Sequence, residues 1–205
     1  MKTRISLASL GAVVLAVTLV TPTAASADER DVFQPPASFQ ATASGTEAEV
    51  AVDATEEYTA VISGVEYAER ADASVMLAAP GCSSTDKATK TVNMWQRRNP
   101  NGVAKLECGT KTGYGWRHIA DGHGQDWQNI LTKYKIAGTW SDFAKWNIGN
   151  TVGAPASAPY NSTNNSYTYQ APLQIKNSKG QVVRTYTVKV PVGKTTERII
   201  TAFPS

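Results

Sequence analysis

Histidine and cysteine are scarce in this chain: of 205 residues, two are histidine and two are cysteine. That shortage excludes a good deal. There is no CxxC and no HExxH, and His118 and His123 stand five apart, a spacing that does not put two imidazoles on one helical face, so neither a metal site nor another cofactor is expected. No GxSxG elbow and no paired-carboxylate setting occur, which removes the common serine-hydrolase and glycosidase arrangements. No internal repeat is found. Long apolar runs are limited to one, Leu7 to Val20, preceded by Lys2 and Arg4 and followed by Ala25-Ser26-Ala27, the pattern of a secretory signal peptide cleaved after Ala27. No second run of spanning length occurs after it, so a secreted, extracellular protein without a membrane anchor is expected.

Export decides how the cysteines are read. In an oxidising compartment Cys82 and Cys108 default to a disulfide. Closing that loop is worth ~3.5 kcal/mol on the chain-entropy account.

The net charge of +3 conceals a division. Residues 28 to 81 carry 11 acidic and 2 basic side chains, whereas residues 82 to 205 carry 6 acidic and 16 basic ones. The first stretch is expected to be an acidic leader, a pro-segment or a small strand-rich region. Its charge suits it to lie over the basic part and shield it. The second stretch is long enough for one basic domain with its own core.

Within that basic part, a short helix is expected over Val92 to Arg98, closed by Asn99-Pro100. Gly122 is expected to end a helix holding His118. Trp127, Ile130, Leu131 and Tyr134 follow helical spacing, with Gly138 as a stop. Thr139 or Ser141 can cap a second helix that carries Trp140, Phe143, Ala144 and Trp146 and ends at Gly149. From residue 160 the pattern is of strands: "TYQAPLQIKN", "QVVRTYTVKVPV" and "TERIITAFP", the first two joined as a hairpin at Asn177 to Gly180. Helices before strands predict an α+β domain with an antiparallel sheet. Alternation gives the sheet one apolar face and one polar, basic face of Gln, Thr and Lys, either an ordinary solvated surface or a functional one.

The segment "GYGWRHIADGH" holds both histidines. Arg117 and Lys111 make its surroundings cationic, which favours a neutral imidazole near pH 7 and attracts phosphate. The combination suits metal-free RNA cleavage, in which one imidazole deprotonates a ribose 2′-hydroxyl, a second acid protonates the departing 5′-oxygen, and cations hold the phosphate. By the chemistry, His123 is either that second group or a loop histidine, and Lys189 either neutralises phosphate or is a surface lysine. The tryptophans are expected in the core, with Trp116 placed where a base could also stack.

"GYGWRHIADGH", followed by helices, strands and then "RIITAFP", resembles the barnase, EndoU, colicin and RelE group of ribonuclease toxin domains over roughly residues 105 to 205. The resemblance implies an endoribonuclease fold of N-terminal helices packed on a twisted antiparallel sheet with a C-terminal closing strand, and a cleft on the open side of the sheet. His118 matches the motif histidine, Arg117 the basic residue before it, and Thr201 the hydroxyl residue of the closing strand. The chain departs from the group in carrying its own signal peptide and in lacking an obvious catalytic glutamate. The function expected is a secreted metal-independent ribonuclease, as a toxin, with an RNA substrate, an acidic immunity or inhibitor protein as partner, and a monomeric state. The alternatives are a secreted non-enzymatic protein that binds a polyanion, and an exported hydrolase of another kind.

Overall fold

The computed structural model describes residues 52–53, 55–68 and 79–205. The chain divides into two units, residues 1–46 and Glu47–Ser205, and every described residue belongs to the second. The expected signal peptide, with its cleavage after Ala27, lies outside the described residues.

The longest elements are a hairpin of two twelve-residue strands, β6 (Ser166–Asn177) and β7 (Val182–Gly193). They form where the sequence alternates and is rich in β-branched and aromatic residues. Their turn is fixed by Asn177, whose side-chain oxygen accepts the backbone N–H of Lys179 at 3.2 Å and of Gln181 at 2.9 Å. Around the hairpin the sheet runs β2 (Val65–Glu66), β1 (Tyr58–Ile62), β6, β7, β8 (Phe203–Pro204), with β5 (Tyr160–Asn161) also on β6, and every pairing is antiparallel. A second antiparallel pair, β3 (Thr91–Arg97) and β4 (Gly102–Glu107), lies off this sheet. Neither sheet closes on itself.

Two helices, α1 (Trp116–Lys133) and α2 (Trp140–Gly153), complete the α+β architecture. Thr139 caps α2 by accepting the Asp142 N–H at 3.1 Å, as its side chain predicts. Tyr169, Ala171, Leu173 and Ile175 of β6 and Val188, Val190 and Val192 of β7 are buried in one cluster with Trp116, Trp127, Trp140 and Phe143 of the helices. Each Val, Leu, Ile or Phe side chain among them contributes about 1.5–3 kcal/mol on leaving water. The opposite sheet face keeps Gln170, Gln174, Lys176, Thr185, Thr187 and Lys189 partly or fully exposed, so the expected division into an apolar and a polar face is what the strands adopt.

Several expectations are corrected. Among the described residues helices do not come first: β1 to β4 all precede α1. Residues 91–97 are a strand, not a helix, because Gly102–Glu107 pairs with them. Gly149 does not end α2. It lies inside the helix, where the indole of Trp95 packs so closely that a Cβ would fall 2.5 Å from its nitrogen, which accounts for glycine there. Only Phe203–Pro204 of the last expected strand is paired as one. The strand β1 of the acidic segment is built into the sheet beside β6, with Ala60 and Ile62 fully buried.

The β3–β4 pair positions the C-terminal segment. Arg97 is buried and donates to the Tyr169 hydroxyl at 2.8 Å, tying the pair to the central strand. Lys105 of β4 exchanges backbone hydrogen bonds with Glu197 and Ile199, at 2.8 and 2.9 Å, and so fixes the segment that leads to Thr201 and Phe203.

Candidate active site

The helix carrying the histidines begins at a point held from four directions. Gly115, the residue before α1, has φ +82, a conformation that favours glycine, and a Cβ there would press on the Glu107 carbonyl. Its N–H donates to the Ile200 carbonyl at 3.0 Å, and the Arg117 N–H donates to the Cys108 carbonyl at 2.9 Å. Cys108 is bonded to Cys82, the disulfide the two cysteines predict. Trp116 is wholly buried, stacked on Trp140 at 4.9 Å, with its indole N–H on the Pro80 carbonyl at 3.1 Å. It belongs to the core and has no face open to a base.

Arg117 is committed to the same scaffold. Its guanidinium donates to the carbonyls of Gly109 and Asp86, both at 2.8 Å, and also to that of Ser83. Three carbonyls thus take up the group, which clamps the loop after Cys82 against the start of α1. Lys111 is paired with Asp121 at 3.1 Å. Tyr114 donates to Glu107 at 3.2 Å, and Glu107 also takes the Arg198 Nε at 3.0 Å. Burial pushes the Tyr114 phenol above its ordinary pKa, so it stays a proton donor.

The helix does not break at Gly122: α1 is continuous from Trp116 to Lys133. Five residues on such a helix rise ~7.5 Å and turn by about 140°. The two imidazoles nevertheless stand with centroids 6.3 Å apart and planes 89° to one another, brought together by their side-chain arms. Each is held at Nδ1. His118 Nδ1 lies 2.8 Å from the Lys111 carbonyl, and His123 Nδ1 lies 3.0 Å from the Asp126 carboxylate. A carbonyl and a carboxylate only accept, so both Nδ1 atoms carry the proton. In the neutral rings the lone pair is then on Nε2, which bonds to nothing among the described residues.

The closing strand meets this pair. Phe203 stacks on His123 with centroids 4.9 Å apart and planes 22° from parallel. Lys189 is the Cα partner of Phe203 across β7 and β8, and its ammonium lies 5.9 Å from the Phe203 ring centroid. Thr201 lies between two anchors: Ile200, whose carbonyl holds Gly115, and Phe203, whose ring holds His123. Its hydroxyl is buried and has no hydrogen-bond partner among the described residues.

Of the residues singled out from sequence, His118, His123, Lys189 and Thr201 are therefore gathered at the junction of α1 with β7 and β8, while Arg117 supports that junction from the loop side. Two contributors were missed. Phe203 gains its part only from the stacking on His123, and Asp126 becomes visible as a partner only once α1 is read as unbroken, three residues after His123. Among the described residues, no group of three or more His, Cys, Asp or Glu side chains could hold a metal ion. No helix among them is long and apolar enough to cross a membrane.

Comparison with known proteins places little beside this site. No known protein family matches the chain, and no solved structure does. The chain is similar to two proteins of Mycobacterium tuberculosis, "Uncharacterized protein MT0764" of strain CDC 1551 / Oshkosh and "Uncharacterized protein Rv0739" of strain ATCC 25618 / H37Rv. Each is 32% identical over 109 residues, a match covering 53% of this chain and 39% of the relative. The chain thus spans about two-fifths of the length of these relatives.

Proposed function

We propose that this protein is a secreted, metal-independent endoribonuclease, in keeping with the ribonuclease-toxin resemblance of its histidine segment and closing strand. The observation that carries the reading is the paired imidazoles, each held at Nδ1 and open at Nε2, with Lys189 over the Phe203 ring that stacks on His123.

His118 is the base. Its Nδ1 proton is on a neutral carbonyl, which leaves Nε2 to take the proton of a ribose 2′-hydroxyl. The 2′-oxygen bonds to phosphorus, the bond from phosphorus to the 5′-oxygen breaks, and His123 gives its Nε2 proton to that oxygen. Asp126 suits His123 to this part, because the carboxylate forms an ion pair with the protonated ring. Lys189 holds the phosphate oxygens as charge builds on them, whereas the Thr201 hydroxyl is buried and supports the closing segment rather than the phosphate. Arg117 acts through position: it fixes the start of α1. The products are a 2′,3′-cyclic phosphate and a free 5′-hydroxyl. The signal peptide expected from the sequence and the disulfide fit an extracellular effector, and the cationic sheet fits an acidic inhibitory partner in the producing cell.

The test uses the oxidised chain, excess chelator and a single-stranded oligonucleotide with one ribose in a deoxyribose background. Cleavage at the ribose is expected, and His118→Ala should lower it ~10²- to 10⁴-fold. Cleavage unchanged by that substitution would overturn the mechanism. Binding of the oligonucleotide with no cleavage would instead support the non-enzymatic polyanion binder.

A further inference from the structure

From the histidines a row of side chains leads across the open sheet face. Phe203 of β8 is the Cα partner of Lys189 in β7, Lys189 is the partner of Gln170 in β6, and Gln170 is bridged to Ser157. Partners in antiparallel pairing point to the same side, so the four side chains stand in one line, which spans ~14 Å at the usual strand spacing. The neighbours Val188, Val190, Tyr169 and Ala171 are all buried on the other side, which fixes the direction of the row.

Three features suit the row to an anionic ligand. Lys90, Lys105, Lys111 and Arg198 are each paired with a carboxylate, of Asp86, Glu197, Asp121 and Glu107. Among the described residues Lys189 has no such partner and stands only over the Phe203 ring, as Lys194 stands over that of Tyr160. The Gln170 amide and the Ser157 hydroxyl make no side-chain hydrogen bond among the described residues, although Gln170 is partly buried. No acidic residue occurs between Asp142 and Glu197, so the whole β5 to β7 stretch is free of carboxylates that would repel a polyanion.

We infer that the row Lys189–Gln170–Ser157 is a nucleotide subsite for single-stranded nucleic acid adjoining the histidine pair, in which Lys189 takes a phosphate and the Gln170 amide reads the edge of the neighbouring base. This rests on the ribonuclease reading for the identity of the strand bound, not for the existence of the subsite. An amide offers a donor beside an acceptor, the pattern that pairs with N6 and N7 of adenine. Ser157, at the far end, can donate or accept and completes the base contact. A duplex would bury its base edges, whereas an open row on a sheet face meets unstacked bases.

Binding is measured with the full oxidised chain and all-deoxy oligonucleotides, which lack the nucleophile and report the subsite whether or not the protein cleaves RNA. A matched set differing in one base is titrated at several salt concentrations. Gln170→Ala is expected to weaken the adenine-containing member about tenfold and leave the others within about twofold, erasing the preference. Lys189→Ala is expected to weaken all members alike and to lower the salt slope by about one contact. Both side chains reach the surface, and unchanged circular dichroism and Tm check the fold of each variant. Equal affinity of the wild type for every base, affinities unchanged in Gln170→Ala, or no binding at all would each overturn the subsite. Base-selective binding by a protein that cuts no ribose substrate would overturn the ribonuclease reading and leave the subsite standing.

Discussion

The ring of His123 lies on the ring of Phe203, centroids 4.9 Å apart and planes 22° from parallel, so a helix side chain and the last strand share one surface. An imidazole stacked in this way loses rotamer freedom and keeps its Nδ1 on Asp126. Phe203→Leu removes the stack and keeps most of the volume. Since an aromatic pair is worth about 0.5–1.5 kcal/mol beyond area, kcat on a ribose substrate should fall up to about tenfold. Phe203→Tyr should restore it, and KM should move little in either variant. Loss confined to KM would place Phe203 in substrate contact rather than in the positioning of His123.

Gly122 gives a second prediction, because an unbroken α1 leaves it no conformational task. It sits in the helix interior with nothing within 4 Å of an added Cβ. Gly122→Ala should therefore stabilise the protein by about 0.5–1 kcal/mol through helix propensity, read as a higher denaturant midpoint at unchanged slope. Cleavage should be unaffected. A fall in stability, or loss of cleavage at full stability, would mean that the helix needs a break between the histidines.

Acid should loosen the loop that Arg117 clamps. The hydrogen bond from Lys90, and then that from the Ser83 N–H, holds the Asp86 carboxyl below its ordinary pKa, and Lys105 does the same first for Glu197. Groups with depressed folded pKa values contribute stability above their unfolded values, near 4, and lose it as pH falls through the folded ones. Tm should fall as pH drops below about 4. Asp86→Asn should show a lower Tm at pH 7 and a shallower acid decline, and a parallel decline would acquit Asp86.

The disulfide joins the loop that Arg117 grips to the strand end that holds the first turn of α1. Loop closure over a separation of 26 residues stabilises by ~3.5 kcal/mol on the chain-entropy account. The paired Cys82→Ser and Cys108→Ser variant should unfold at a lower denaturant concentration by that order. It should also lose cleavage earlier on heating than it loses total helix signal, because the start of α1 loosens first. Coincident losses would show that the bond acts on the whole fold alone.

What was legible in the sequence was local. The β6–β7 hairpin announced itself by alternation and by Asn177 at its turn, and the cap of α2 by Thr139, because each is decided within a few residues. Residues 91–97 were not legible: Val92 and Trp95 are three apart like a helical stripe, and only the pairing with Gly102–Glu107 makes them a strand. Gly122 and Gly124 weaken a helix by propensity, yet α1 runs through them because Trp116, Ile119, Trp127 and Ile130 bury one face on both sides. The site divided in the same way. His118 stood out by rarity, whereas Phe203 and Gln170 acquire meaning only from the strand register that lines them up with Lys189.

The chemistry of the cut end tests the central claim most directly. A single-stranded RNA is incubated with the oxidised protein in excess chelator, and the fragments are weighed by mass spectrometry at early times. The account predicts 5′ fragments that end in a 2′,3′-cyclic phosphate, 3′ fragments that begin with a free 5′-hydroxyl, and neither from His118→Ala at a comparable rate. Fragments bearing a 5′-phosphate, or equal cutting of an all-deoxy strand, would contradict it.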